Sequence, residues 1–92
     1  MTSASPTITV LYFAAASTAT GLPYETIPVP SEGLLLSSLP KLIVSRHPSA
    51  NDLNHILETS QWSVDAEMID DPEFVTLKGG EEVAVICPVS GG

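Results

Sequence analysis

Two stretches of this chain have no polar face, and that limits where they can sit. Residues 7–13 (Thr-Ile-Thr-Val-Leu-Tyr-Phe) and 82–87 (Glu-Val-Ala-Val-Ile-Cys) are rich in β-branched and aromatic side chains and read as strands. In the first, Ile8, Val10 and Tyr12 point to one side and Thr9, Leu11 and Phe13 to the other. In the second, Val83, Val85 and Cys87 oppose Ala84 and Ile86. Strands apolar on both sides are usually covered twice. One helical layer covers a single face, so the other face is either roofed by loops or is a contact surface for a second protein.

The remaining elements fall between these two strands. Residues 14–19, alanine-rich, predict a short helical turn that Thr20-Gly21-Leu22-Pro23 breaks. Residues 24–29 predict a second strand, which Pro28 and Pro30 confine to an edge or a strand end. After Ser31-Glu32-Gly33, the spacing of Leu35, Leu39, Leu42 and Ile43 predicts a helix with one buried stripe. Pro40 is compatible with it only in the first turn, which moves the regular helix to a start near Ser37 or Ser38. Pro48 ends it around Arg46-His47. A shorter helix is expected from Asn51 or Asp52, with a capping side chain at its start and Leu53, Ile56 and Leu57 on one side. Residues 62–69 read as one strand, Asp70-Asp71-Pro72 as a turn, 74–77 as a short strand and Gly79-Gly80 as a further turn. Physical reasoning alone reaches an α+β fold with a mixed sheet and the helices grouped mid-chain.

With 92 residues the chain makes one small domain, of a size where partner binding can contribute to stability. Eleven acidic against three basic residues give a net charge of −8. That charge repels phosphate backbones and anionic lipid, so neither nucleic acid nor a membrane surface is an expected partner. It suits docking onto a basic protein surface, and solubility alone would explain it equally well. The single cysteine, Cys87, admits no disulfide framework. No basic, amphipathic or long apolar segment opens the sequence, and a cytosolic location is expected.

No self-sufficient active site is legible. Gly79-Gly80 is followed by Glu81 and Glu82, which would repel phosphate. His47 and His55 lack partners at metal-ligand spacing and read as surface residues, so no metal is expected. Ser90 has no evident base. Cys87 can be read as a thiol that passes on sulfur or as a small apolar residue packing at a strand end, and packing is the expectation. What remains is the end of the chain. Pro88 lacks a backbone donor and stops the ladder, Val89 offers an apolar anchor, and Ser90, Gly91 and Gly92 can take the backbone angles a narrow channel demands. The Gly92 carboxylate has no side chain to obstruct it.

The blocks Val10-Leu11-Tyr12-Phe13-Ala14, Thr20-Gly21, Gly80-Glu81-Glu82-Val83-Ala84-Val85-Ile86 and Pro88-Val89-Ser90-Gly91-Gly92 occur in an order that resembles the small, sulfur-carrying subunits of molybdopterin synthase, within the ubiquitin-like proteins. The resemblance implies a β-grasp fold: a mixed sheet with helices on one face, the first and last strands parallel at its centre. It implies a flexible leader over residues 1–6, a domain over 7–87 and a flexible tail over 88–92. By resemblance, an E1-like adenylyltransferase forms an acyl-adenylate on Gly92, and a sulfurtransferase step turns it into a thiocarboxylate (1-thioglycine). The tail, Pro88 to Gly92, then threads into the large synthase subunit and gives sulfur to cyclic pyranopterin monophosphate. The implied assembly is a heterotetramer of two large and two small subunits. AMP and sulfur would be transient at the terminus, with no stably bound cofactor, and the isolated chain would not be an enzyme. Relatives serving thiamine synthesis or tRNA thiolation, and ubiquitin-like modifiers joined to target lysines, are the alternatives. Two departures from the family stand out: Cys87 occupies a position that is usually proline, and Asp65 one that is often asparagine.

Overall fold

The computed structural model describes residues 6–87. Strand β1 (Thr7–Tyr12) is followed by helix α1 (Ala14–Thr20), β2 (Tyr24–Pro28), a short β3 (Leu34–Leu35), α2 (Leu39–Arg46) and α3 (Leu53–Thr59). The chain then runs through β4 (Gln61–Val64), β5 (Glu67–Ile69), a short β6 (Thr76–Leu77) and β7 (Glu82–Ile86). Five strands form one sheet in the order β2-β1-β7-β4-β5, and β3 pairs with β6 in a separate two-stranded ribbon. The two doubly apolar strands are neighbours: β1 and β7 run parallel, with Val10 opposite Val83 and Tyr12 opposite Val85. β2 flanks β1 and β4 flanks β7, both antiparallel.

The core lies on one face of that sheet. Ile8, Val10 and Tyr12 of β1, Val83 and Val85 of β7, and Trp62 of β4 meet Ala16 of α1, Leu39 and Ile43 of α2, and Leu53 and Leu57 of α3. The expected mixed sheet with helices on one side is therefore present. α2 begins where Pro40 allows: Leu36–Ser38 form a 3-10 turn, and Pro40 enters within the first helical turn, where its missing donor has no intrahelical partner to lose. α1 ends on Gly21 at φ 74°, whose N–H returns to Ser17 O at 2.8 Å.

Four expectations are corrected. Residues 62–69 are not one strand but a hairpin, turning at Asp65 (φ 51°) and Ala66 (φ 70°) between β4 and β5. Two consecutive positive φ values are the signature of the tight type I′ turn, which twists as the strands do. Leu35 does not join the buried stripe of α2; it lies in β3 and is exposed. Residues 72–74 form a 3-10 turn that leaves Phe74 81% exposed, and only Thr76–Leu77 pair as a strand. Asp52 precedes α3, but its side chain makes no capping hydrogen bond.

Loops are held by named contacts. The Glu81 carboxylate accepts from the Lys78 N–H (2.9 Å) and the Gly79 N–H (2.7 Å). Burial pushes that carboxyl up, but the backbone donors of Lys78, Gly79 and Glu81 itself, with the Lys78 charge, outweigh it and hold it below its ordinary value. Asp65 Oδ1 accepts from the Glu82 N–H at 2.9 Å, and the Asp65 N–H donates to Glu82 O at 2.8 Å, tying the hairpin turn to the start of β7. Pro6 O accepts from the Val29 N–H at 2.8 Å.

Candidate functional site

Strand alternation places one row of side chains on the face that carries no helix. Reading across the register, the row is Tyr24 (β2), Leu11 (β1), Ala84 (β7), Ser63 (β4) and Met68 (β5). Tyr24 is 57% exposed and Met68 49%. Between them the small Ala84 and Ser63 are buried by their larger neighbours, so the row is low at its centre and raised at its ends. One step toward the start of β1, the same face carries Thr9, Thr26 and Glu82 and is polar. One step the other way lies Ile86 opposite Gln61, and Phe13, whose extended backbone (φ −123°, ψ 153°) continues the alternation of β1. Phe13 is 49% exposed. Of the two readings open for this face, no roof of loops is formed among the described residues: Tyr24, Met68 and Phe13 remain exposed.

The apolar end of that face is also where the last described residue sits. Cys87 follows β7, half-buried against the core. Its Sγ donates to Phe13 O at 3.3 Å, and Ser60 Oγ, which also reaches Ile56 O at 2.6 Å, lies 3.7 Å from the sulfur. The thiol thus packs between the β1–α1 junction and the end of α3, as the reading of Cys87 as a packing residue expects. Pro88, Val89, Ser90, Gly91 and Gly92 lie outside the described residues.

His47 corrects the sequence reading. It is half-buried, not a free surface residue, and with its neighbours forms the polar cluster that sequence spacing missed. Glu25 on β2 accepts from Tyr12 Oη (2.6 Å) and Arg46 Nε (3.0 Å), and His47 Nε2 lies 2.5 Å from the oxygen that Tyr12 occupies. The Tyr12 and His47 rings meet edge-on at 6.4 Å. Burial pushes the Glu25 carboxyl up, but the hydrogen bonds from Tyr12, His47 and Arg46 outweigh it and leave it below its ordinary value. Burial, with the hydrogen bond and the charge of Glu25, raises the Tyr12 phenol. The cluster draws on three separate stretches of sequence, at Tyr12, Glu25 and Arg46-His47, and forms no local motif; Tyr12 Oη at the end of an apolar strand is the one available signal, since a buried phenol needs a partner. The cluster clamps the end of α2 to the sheet. The Glu25 carboxylate is held by three side chains at once, which is the chemistry of a strut.

His55 is exposed, as expected. Among the described residues, no group of three or more His, Cys, Asp or Glu side chains could hold a metal ion, and no helix is long and apolar enough to cross a membrane.

A mixed five-stranded sheet with parallel central β1 and β7, helices on one face and the other face bare makes this a ubiquitin-like β-grasp protein; the SAMP1 protein of Haloferax volcanii superposes with a TM-score of 0.75 over 94% of this chain and 99% of that one, at 18% identity. No family model matches the sequence. The molybdopterin synthase sulfur carrier subunit of Mycosarcoma maydis is 44% identical over the full length of both chains. The human sulfur carrier subunit is 40% identical over 92% of this chain and 93% of its own. The chain belongs to the family of molybdopterin synthase sulfur carrier subunits.

Proposed function

We propose that this chain is the sulfur-delivering subunit of molybdopterin synthase in the cytosol, working through the carboxylate of Gly92 and docking on the large subunit through its bare sheet face. The observation that carries the proposal is the uncovered apolar row Tyr24–Leu11–Ala84–Ser63–Met68 beside the end of β7, in a chain whose full-length relatives are sulfur carriers. Burying that row against a partner would start the tail, residues 88–92, at the edge of the interface.

The chemistry follows from the terminus. A carboxylate is a poor acyl donor. Its oxygen attacks the α-phosphate of ATP on an E1-like adenylyltransferase, pyrophosphate leaves, and Gly92 carries an acyl-adenylate. Hydrosulfide-level sulfur attacks the carbonyl, AMP leaves with its electron pair, the sulfur loses its proton, and a thiocarboxylate remains. Its sulfur is ionised near neutral pH and is a stronger nucleophile than oxygen, as thiolates are. Held in the pocket of the large subunit, the sulfur bonds to a carbon of cyclic pyranopterin monophosphate in place of an oxygen substituent, water then cleaves the acyl–sulfur bond and returns the Gly92 carboxylate, and two such deliveries build the dithiolene. The contribution of this chain is to position that nucleophile; Pro88, Val89, Ser90 and Gly91 form the arm.

Intact mass of the chain purified from cells tests the terminal chemistry. The proposal expects an oxygen-to-sulfur change at Gly92; larger conjugates joined to lysines would make it a modifier instead. Deleting Gly92, or adding one residue beyond it, should abolish molybdopterin formation while circular dichroism stays unchanged. Normal cofactor synthesis by either variant would overturn the assignment.

A further inference from the structure

A trough runs along the side of the molecule, past the free edge of the sheet. It consists of two adjoining recesses of about 410 and 310 Å³ that share Ser60, Trp62 and Pro72. One extends toward Met68 and Ile69 of β5, the other toward Leu57 of α3 and Pro40 of α2. Its floor is therefore mixed in the first recess and mainly apolar in the second, with Trp62 and Pro72 common to both. Its charged side chains are all acidic: Asp70 lines the first recess, Glu58 and Glu73 the second, and no lysine or arginine lines either. None of these three carboxylates makes an ion pair among the described residues. β5 is the last strand of the sheet and pairs only with β4. Among the described residues, no further backbone hydrogen bond reaches 67–69.

We propose that this trough binds an extended, basic peptide segment of a partner protein, with an apolar side chain over Trp62 and lysine or arginine side chains against Glu58, Asp70 and Glu73. Three features select that occupant. Two adjoining recesses joined at Ser60, Trp62 and Pro72 fit a chain better than a compact small molecule. Three carboxylates with no cation beside them favour a basic ligand and repel nucleic acid. An edge strand with free backbone groups offers an extended segment the pairing that β-addition uses. The trough meets the bare sheet face at Met68, so one partner can engage both, but its ligand chemistry is its own: charged and basic, where the sheet face is apolar.

Trp62 is the only tryptophan, so its emission reports on the trough directly. The full chain is titrated with a capped pentapeptide carrying a central leucine flanked by arginines, and with a glutamate-flanked counterpart as control. The expected result is a saturable change in emission with the basic peptide alone, about tenfold weaker binding in a Glu58→Gln, Asp70→Asn, Glu73→Gln variant, and peptide-induced amide shifts centred on residues 58–62 and 67–73. Because the shift map is taken on the native chain, it stands even if the triple variant folds poorly. No saturable response, an equal response to the acidic peptide, unchanged binding by a folded triple variant, or shifts centred on the Leu11–Ala84 row would each overturn the proposal.

Discussion

Glu25 receives three side chains from two elements, Tyr12 from β1 and Arg46 and His47 from the end of α2, so its ionisation is linked to folding. Its carboxyl titrates below the ordinary value of 4.5 in the fold, so the unfolded chain binds the proton more readily. The stabilisation is accordingly complete above that value and is lost as pH falls through the lower, folded one. Glu25→Gln should cost about 2 kcal/mol near neutral pH, and the gap between variant and native urea midpoints should narrow as pH drops below 4.5; a gap independent of pH would contradict this account. Cys87 makes the opposite case. Among the described residues its half-buried thiol donates to Phe13 O and accepts from Ser60 Oγ, so Cys87→Ala should keep sulfur transfer and lose about 1 kcal/mol of stability. Complete loss of transfer in a reconstituted synthase assay would reassign the thiol to the chemistry. Asp65 meets two demands of its position: a positive φ, which Asp and Asn tolerate best among residues with a side chain, and an oxygen for the Glu82 N–H.

At the scale of elements, turns decide where the strands end, and two glycines separate backbone demand from crowding. Gly21 closes α1 at φ 74°, and a Cβ there would meet no atom within 4 Å, so Gly21→Ala should cost only the left-handed penalty, about 1 kcal/mol. Gly79 sits at φ 124°, and a Cβ there would lie 2.7 Å from Pro6 Cβ. Gly79→Ala should therefore cost at least about 1 kcal/mol more than Gly21→Ala in thermal unfolding, and equal shifts in Tm would show that Pro6 yields freely. The long elements are legible because their patterns are strong: the apolar runs of β1 and β7, and the placement of Pro40 in the first turn of α2. The β4–β5 hairpin is not, because Ala66 takes a positive φ that its side chain does not favour, and no Asn-Gly or Asp-Gly pair announces the turn. Leu35 and Phe74 escape a local reading for a related reason. A two-residue strand such as β3 has too few residues to show any period, and it exists only because β6 lies opposite.

For the whole molecule, the helices pack on one side of the sheet, and among the described residues the other side keeps Tyr24, Met68 and Phe13 exposed. Phe13→Glu puts a charge at the apolar end of that face without touching the core, since Phe13 is 49% exposed. It should weaken binding to the large subunit at least about tenfold by calorimetric titration, with circular dichroism unchanged; undiminished binding would move the interface elsewhere. The sequence by itself determined the α+β class, the two doubly apolar strands and the acidic charge, because each is written in local periodicity or composition. Only the tertiary structure decided which face stays bare, that Glu25 gathers Tyr12, Arg46 and His47, and that Glu58, Asp70 and Glu73 line one trough around Trp62. Those are meetings of residues distant in the chain, and the register of a sheet and the packing of helices on it bring them together, which no local pattern encodes.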